Sequence, residues 1–471
     1  MIKLKLNKPK QSLRRRPLVK NSISRIATEF INNLVEIISE GERSFAELEK
    51  LALDESKKIA AKVISAYAES VNLAIAADKK ARRETGYSVQ RQGDERRLQT
   101  LVGEVVYSRT YYKKVSGGYE YLADTALGVE RCDRVSEGLS LALATAAKDM
   151  SYEKSSRYVS VDKISLQTVM GRVRRSSAVE QVLLKKRCVE ELHIDADEAH
   201  VTLCSGRKSY VPLISVYEGI DKQGKRHKCK NVFHISEYGK SPDELWEQVL
   251  TEIEMRYDLS NTKVYIHGDG AGWIGKGLGW IPNATFVLDK YHKNKAIKTM
   301  TASLTPGYRR TFEKELRRAL DYEETDLFDN LTVCICKLSP ERSEKTLETS
   351  GYLKRFMKGI SICKTDQRAN NGGCTEPHVS HVLSARLSGR PMAWSQKTLK
   401  RLAPILACGQ VTLDSKSEKI SLPTPLNKVV ASVQKKFRKV RFGLPHPDSI
   451  GRLPISGKLT GTQKLLQLYA R

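Results

Sequence analysis

The central stretch from residue 186 to residue 302 alternates between strand-like and helix-like patterns, and this alternation limits the possible folds more than any other feature of the chain. Three strands are predicted in quick succession at VEELHIDAD, HVTLC and SYVPLISVYEG, and NVFHISEYG extends the last. Ser241 and Pro242 then open a helix whose first turn holds the proline and acids that helix starts favour. Two further strands, TKVYIHGDG and ATFVLD, are separated by a brief helical segment.

The predicted order is three strands, helix, strand, helix, strand, helix, which is the order of a ribonuclease-H-like core. In such a core the first three strands are antiparallel and the later ones join by crossovers. Residues 303–371 show helical patterns without a strand, so we expect an all-helical insertion there and the last core helix in residues 372–410. The predicted fold class is therefore α/β, with the first part of the core in residues 186–302.

The regions that flank this core are predicted to be mostly helical and strongly basic. ISLQTVMGRVRR, with Ser165 at its start, resembles the recognition helix of a helix-turn-helix, and an ordinary helical linker is the alternative. The predicted units are a basic arm (1–20), a helical region (21–95), a small β-hairpin unit (96–130), a helical, helix-turn-helix-like DNA-binding region (131–185) and a basic C-terminal tail (411–471).

Three acidic side chains stand where this core would bring them together. Because its first and fourth strands are neighbours, Asp197 in HIDADEAHV falls beside Asp269 in YIHGDGAGW. Glu376 precedes Pro377, a favoured first helical residue, and so lies at a helix start. Two-metal phosphoryl transfer needs carboxylates around two cations roughly 3.5 to 4 Å apart. The three acids predict a site for two Mg²⁺ ions, with Mn²⁺ able to substitute.

The assignment of these ligands leaves alternatives open. Asp195 competes with Asp197 as the first ligand, because residues two apart on a strand face the same way. Each acid also has an alternative explanation without a metal. Asp197 could be a turn or salt-bridged surface acid, Asp269 a turn aspartate between glycines, and Glu376 a carboxylate that balances a helix dipole.

Three nearby side chains are candidates for an accessory role. Asp289 and His292 share one helical turn in DKYH, where the carboxylate either orients the imidazole near a phosphate or simply caps the helix beside a surface histidine. Trp273 either stacks on an exposed base or fills the core, and the core is favoured.

The net charge points to a polyanionic partner. Lys and Arg number 81 against 54 Asp and Glu, a formal charge of +27, and residues 1–20 and 426–471 supply 17 of those charges. Such basic segments favour nucleic-acid binding, and a solvated tail is the alternative. The nine cysteines form no CxxC pair, which argues against a zinc finger or a disulfide framework. No apolar run approaches the roughly 18 residues of a membrane span, so we expect a soluble, cytoplasmic protein.

Four sequence blocks together resemble the Lre-type bacterial insertion-sequence transposases, a group formerly catalogued as an uncharacterised protein family. The blocks are IDADEAHV, YIHGDGAGWI, FVLDKYHKNKAI and EPHVSHVLSARLSGRPMAW, and TLVGEVVYSRTYYKK and ISLQTV extend the likeness over roughly residues 95–400. The resemblance implies a DDE transposase related to the Mutator-like group, with Asp197, Asp269 and Glu376 as the catalytic acids and Asp289 and His292 as its Asp-x-x-His element.

Two positions depart from the family pattern. Pro377 stands where members often show a small residue, and Asp195 where they show glutamate. Neither change removes a proposed ligand.

The resulting hypothesis is a transposase that binds terminal inverted repeats and carries out metal-dependent cleavage and strand transfer on double-stranded DNA, as a homodimer or larger assembly. The alternatives are a ribonuclease-H-like nuclease or resolvase, and a non-catalytic DNA-binding regulator derived from a transposase. DNA contacts are expected from Arg172, Arg174, Arg175, Arg386 and Arg390.

Overall fold

The computed structural model describes residues 18–39, 43–179, 185–223, 226–414 and 421–438. Most of the predicted basic arm (1–20) and much of the predicted basic tail (411–471) lie outside the described residues. Contacts divide the chain into two units, one made of residues 1–142, 155–165 and 415–471, and the other of residues 143–154 and 166–414.

The chain begins with helices and continues into a mixed sheet that is flanked by further helices. The helices are α1 (Leu18–Ser39), α2 (Phe45–Ala77), α3 (Lys79–Glu84), α4 (Leu122–Ala126), α5 (Glu137–Asp149), α6 (Tyr152–Val159), α7 (Leu166–Val173), α8 (Pro242–Arg256), α9 (Gly272–Gly275), α10 (Gly277–Trp280), α11 (Lys290–Met300), α12 (Pro306–Asp321), α13 (Thr325–Leu338), α14 (Ser343–Arg355), α15 (Met357–Thr365), α16 (Thr375–Val379), α17 (Ala385–Leu387), α18 (Gln396–Cys408) and α19 (Thr424–Arg438). The strands are β1 (Tyr87–Thr100), β2 (Gly103–Lys114), β3 (Tyr119–Glu120), β4 (Ser176–Ala178), β5 (Arg187–Cys188), β6 (Glu191–Thr202), β7 (Lys208–Tyr217), β8 (Ile220–Gln223), β9 (Arg226–Cys229), β10 (Phe233–Ile235), β11 (Tyr257–Asp258), β12 (Lys263–Gly268), β13 (Ala284–Leu288) and β14 (Val411–Leu413).

The first unit packs a three-stranded antiparallel sheet, in the order β1, β2, β3, with the amino-terminal helices. Helix α2 begins at a capping box, in which Ser44 and Glu47 bond to each other's backbone. The hairpin differs from its predicted bounds of 96–130, because β1 already begins at Tyr87. Residues 90–93 of that strand are exposed and polar, so they lack the apolar alternation that marks a strand in sequence.

Helix α2 is long and apolar enough to cross a membrane by length and composition alone. One 18-residue window has a mean hydropathy of 1.3, and 28% of that window is buried. Polar residues interrupt the helix, so its sequence holds no unbroken apolar run of that length. One such helix is weak evidence, because core helices of soluble proteins pass the same test.

The second unit is built on a five-stranded mixed sheet with the order β10, β7, β6, β12, β13. Strands β6, β7 and β10 are antiparallel neighbours, whereas β12 pairs in parallel with both β6 and β13. The predicted strands VEELHIDAD and HVTLC are one continuous strand, β6, and the third antiparallel strand is β10. Strand β6 continues because its pairing with β7 runs unbroken from His193 to Thr202, which outweighs the polar residues in its middle.

Helices cover this sheet and continue beyond it. Helix α8 buries Leu245, Trp246, Val249 and Ile253 against it and starts at a capping box of Ser241 and Glu244. Helices α12 to α15 follow with no strand among them and share one apolar cluster with α11. After α15 the chain returns to the sheet through α16, and a π-helical turn (Ser380–Ser384) joins α16 to α17. The sheet carries Asp197 and Asp269, and α16 carries Glu376.

Candidate functional site

Two parallel strand ends bring Asp197 and Asp269 to the same edge of the sheet. Strands β6 and β12 pair in parallel up to Asp195 opposite His267. Two residues further along each strand direction stand Asp197 and Asp269, and both side chains are half-buried. The parallel pairing thus gives the two acids equivalent positions at the point where β12 ends.

The surroundings of Asp197 make its negative charge costly. Burial raises the pKa of Asp197 to about 6, and the carboxylates of Asp269 and Glu376 act in the same direction. The backbone N–H of Glu198 donates to Asp197 Oδ1 at 2.8 Å and, together with His292, opposes that rise in the pKa. The three predicted acids therefore lie near enough to affect one another electrostatically.

The turn that carries Asp269 is held by the helical stretch far along the chain. Asp269 Oδ1 accepts a hydrogen bond from the N–H of Ala271 at 2.8 Å, and the Tyr352 hydroxyl on α14 donates to the Asp269 carbonyl at 2.7 Å. Gly270 has a φ of +86°, and a Cβ there would lie 2.2 Å from the Phe356 ring. Only glycine satisfies both conditions, so the turn is shaped by its own backbone and by α14 together.

Glu376 lies in the first turn of α16, and its side chain is exposed. Its neighbour Thr375 is buried and donates to Asp289 Oδ1 at 3.4 Å. Asp289 caps α11, which was one of the two alternatives for this residue, and its Oδ2 also lies 3.3 Å from Nδ1 of His292. That hydrogen bond raises the pKa of His292, with smaller contributions from the carboxylates of the site. The pair of Asp289 and His292 thus joins α11 to the segment that carries Glu376.

The donor set of this site has the chemistry that hard divalent cations prefer. Asp197, Asp269 and Glu376 offer carboxylate oxygens, and a cation among them would relieve the repulsion that raises the pKa of Asp197. Across the residues that the structure describes, no three His, Cys, Asp or Glu side chains are gathered tightly enough to hold a metal ion as they stand. Binding would therefore require these side chains to come closer together.

Asp195, the competing first ligand, has other partners. The Tyr217 hydroxyl donates to both of its oxygens, at 3.0 and 3.1 Å, and the N–H of Cys374 donates to Oδ2 at 2.9 Å. Its side chain is 2% exposed. Protein donors thus surround the Asp195 carboxylate, whereas Asp197 accepts a backbone hydrogen bond from Glu198 and lies near the other two acids. Of the two, the geometry favours Asp197 as the ligand.

Trp273 lies against the core cluster of the sheet, in keeping with the favoured reading of this residue. Its Nε1 donates to Glu198 Oε2 at 3.1 Å, and its carbonyl accepts from Nε1 of Trp246 at 2.7 Å. The indole therefore supports the strand that carries Asp197.

Arg386 and Arg390 occupy contrasting environments. Arg386 is 7% exposed, donates through Nε to the Ala147 carbonyl at 2.9 Å, and lies over the rings of Tyr152 and Trp394. Arg390 is exposed. The guanidinium of Arg386 is thus engaged within the fold, and that of Arg390 faces solvent. DNA contact by either stays a prediction.

The arginines at the end of α7 are engaged in a similar way. Arg172 is buried, and Arg174 donates to the hydroxyls of Thr398 and Ser395 at 3.1 and 2.9 Å. Arg175 is half-buried. The basic end of α7 is therefore packed against α18, and phosphate contacts from these three residues also stay a prediction.

Several contributors to the site carry no local signal in the sequence. Tyr352, Tyr217 and Cys374 reach their partners across 83, 22 and 179 residues, respectively. A buried pair, His193 and His267, with ring nitrogens 3.0 Å apart, also lies under the segment that leads to Glu376. Burial lowers the pKa of both histidines, that of His193 to about 3, which keeps the pair neutral.

Comparison with known proteins shows a shared family. The family described as Uncharacterised protein family (UPF0236) matches residues 39–418. The UPF0236 protein TTE0402 of Caldanaerobacter subterraneus subsp. tengcongensis is 35% identical over 417 residues, which are 86% of this chain and 83% of that protein. A protein of the same bacterium whose name joins eleven locus numbers is 35% identical and covers 80% of each chain. The UPF0236 protein in the vanSb 3' region of Streptococcus gallolyticus is 25% identical, over 63% of this chain and 69% of that protein. Many copies within one genome are consistent with a mobile element.

Proposed function

We propose a function from the premise that this chain belongs to the uncharacterised protein family UPF0236. The chain acts as the DNA transposase of an insertion sequence, which binds the terminal inverted repeats of its element and catalyses metal-dependent DNA cleavage and strand transfer. The observation that carries this proposal is the convergence of Asp197, Asp269 and Glu376, whose mutual repulsion contributes to the raised pKa of Asp197.

The sheet order supports a ribonuclease-H-like catalytic unit. Numbered along the chain, its strands lie in the order three, two, one, four, five, with the first three antiparallel and the last two parallel to the first. The first and fourth strands are neighbours in this order, as the proposed core requires. The proposal includes the predicted boundaries, with the core in residues 186–302 and 372–410, a helical insertion in 303–371, and DNA-binding helices in 131–185.

The acids would hold two divalent cations, Mg²⁺ or Mn²⁺, which supply activation of the attacking oxygen and stabilisation of the leaving oxygen at a phosphodiester. Asp197 and Asp269 are presented by the rigid sheet edge, and Glu376 by the start of α16. His292 lies beside them with a raised pKa, so it can carry a positive charge next to a bound phosphate. Asp289 fixes the orientation of that imidazole.

Charge and copy number support the choice of substrate. A formal charge of +27 suits double-stranded DNA as the partner, with the repeats and the target as the two substrates. Two element ends must meet in one reaction, so the proposal includes a homodimer or larger assembly in the cytoplasm. The many related copies in one genome favour a transposase over a resolvase, and the presence of all three acids argues against a regulator that has lost catalysis.

The test is a strand-transfer assay with purified protein, Mg²⁺ and a DNA fragment that carries the ends of the element. The expected result is joining by the wild type, and loss of joining with DNA binding retained in Asp269→Asn and in Glu376→Gln. Asp258→Asn, a change of an exposed aspartate in the same unit, is the matched control and should join normally.

Three other outcomes would overturn the proposal. Unchanged joining by Asp269→Asn would remove the assigned site. Cleavage without joining by the wild type would indicate the nuclease, and specific binding without cleavage would indicate the regulator.

A further inference from the structure

We infer that Asp195 is a positioning residue, which anchors the segment that carries Glu376 to the central sheet. The purpose of this anchor rests on the proposed function, since Glu376 matters only as a ligand for the cations of that reaction. The anchor itself rests on contacts that involve neither metal nor DNA.

The anchor is a closed set of hydrogen bonds between two strands and the start of α16. Asp195 on β6 accepts from the Tyr217 hydroxyl on β7 and from the N–H of Cys374. The Tyr217 oxygen in turn accepts from the N–H of Gly373 at 2.9 Å. Two consecutive backbone N–H groups, just ahead of Glu376, are thus bound by a pair of side chains that are 2% and 0% exposed.

His378 adds a contact two residues beyond Glu376. Its Nδ1 lies 3.2 Å from Asp195 Oδ2, near enough for electrostatic attraction but without the alignment of a hydrogen bond. Its Nε2 lies 3.6 Å from Cys229 Sγ, and its ring meets that of Tyr217 edge to face at 5.7 Å. Residues on both sides of Glu376 therefore approach the same buried carboxylate.

Physical chemistry explains why this segment needs such an anchor. Helix α16, the π-helical turn and α17 together span only residues 375–387, a length that is marginal without tertiary contacts, and the exposed side chain of Glu376 adds no packing of its own. The bond from Thr375 to Asp289 is long, at 3.4 Å, so it is a weak second attachment. A buried carboxylate is tolerated only when donors surround it, and here one of those donors, the N–H of Cys374, belongs to the segment that must be held.

The entry of the segment is equally constrained. Gly372 is buried, and a Cβ there would lie 2.4 Å from both His193 Nδ1 and His267 Nε2. The chain thus crosses directly over the histidine pair before it reaches Asp195. This crossing fixes the path of the backbone, and the bonds to Asp195 fix where α16 begins.

The test compares hydrogen exchange and metal dependence in the full chain for Tyr217→Phe and Asp195→Asn. Tyr217→Phe removes one hydroxyl and keeps the ring, and Asp195→Asn removes acceptors and keeps the shape. Tyr257→Phe is the matched control, because that buried hydroxyl donates to Glu218 and touches no part of the segment.

The expected result is exchange on the order of tenfold faster for the amides of residues 373–379 in both test variants, and no such local change in the control. The Mg²⁺ concentration that half-saturates DNA cleavage should rise several-fold in the same variants, while DNA affinity stays unchanged. A purely structural role would not shift that Mg²⁺ concentration.

Two results would overturn the inference. One is unchanged exchange in both variants, and the other is faster exchange spread over the whole unit, as in general destabilisation. Faster local exchange with unchanged Mg²⁺ dependence would also reject a positioning role. If both variants show the local exchange effect but the wild type cleaves no DNA, the anchor stands and the proposed function fails.

Discussion

Replacing Asp197 by asparagine should stabilise the protein at neutral pH, although it removes a proposed metal ligand. The pKa of Asp197 is raised to about 6, chiefly by burial and further by two neighbouring carboxylates. A neutral asparagine of nearly the same shape avoids the cost of a charge in that position, and its amide oxygen can still accept from the N–H of Glu198. Sites built for charged ligands commonly carry such a cost.

The size of the effect follows from the pKa. A rise from 3.8 to about 6 corresponds to roughly 3 kcal/mol, at about 1.4 kcal/mol per pKa unit. The half-buried side chain still meets water, so we expect about 1–2 kcal/mol after solvent screening. Since the folded-state pKa is the higher one, the contribution of Asp197 to stability is fully present below about pH 3.8 and is lost as the pH rises through about 6. The difference in the free energy of unfolding between Asp197→Asn and the wild type should therefore be near zero at about pH 4 and reach its full value at about pH 7.5.

The assay is urea denaturation at these two pH values, followed by tryptophan fluorescence. All four tryptophans lie between residues 246 and 394, so the signal reports on the unit that carries the site. Added Mg²⁺ should stabilise the wild type more than Asp197→Asn, because the cation binds only the folded acids. Asp258→Asn is again the control: hydrogen bonds from Ser260 lower the pKa of Asp258, so its loss should not stabilise the protein.

Equal or lower stability of Asp197→Asn at pH 7.5 would refute the reasoning, and so would a gap that persists at pH 4. The same pKa predicts that activity at subsaturating Mg²⁺ falls as the pH drops below about 6, since a proton on Asp197 then competes with the cation.

Gly270→Ala should lower the free energy of unfolding by at least about 2 kcal/mol, because its φ is +86° and the new Cβ would meet the Phe356 ring. Gly272→Ala, where a Cβ meets nothing within 4 Å, should be near neutral in the same thermal unfolding experiment, and equal effects would contradict the account. Arg386→Ala should destabilise by about 2–4 kcal/mol, because it breaks buried contacts. Arg390→Ala should leave stability unchanged and weaken DNA binding at low salt. A large loss of stability in this variant would contradict the solvent-exposed position of Arg390.

The positions of the principal acids were accessible from sequence because they depend on local periodicity. Asp197 and Asp269 follow apolar runs whose spacing marks strands, and Asp289 caps the helix after the last strand, which was one of the two alternatives for it. The start of α8 was equally predictable from sequence, since Ser241 and Glu244 form a capping box with a proline between them. In each case a few neighbouring residues determine the structure.

The remaining features depend on contacts that no local pattern encodes. The sequence left Asp195 and Asp197 as rivals, and only the distant donors Tyr217 and Cys374 distinguish them. Likewise, nothing around Arg386 indicates that its guanidinium will be buried beneath aromatic rings rather than exposed. A strand such as β1, whose first half is polar, becomes visible only when its partner is in place.

The bond between the Tyr352 hydroxyl and the Asp269 carbonyl has a consequence for shortened copies of the gene. A copy that ends before residue 352 still encodes Asp197 and Asp269, but it has lost the side chain that holds the second aspartate's turn from 83 residues away. The helices after α11 are thus one wall of the site rather than an appendage to it. Truncation within these helices would leave Asp197 and Asp269 in the chain without the contact that holds the turn of Asp269.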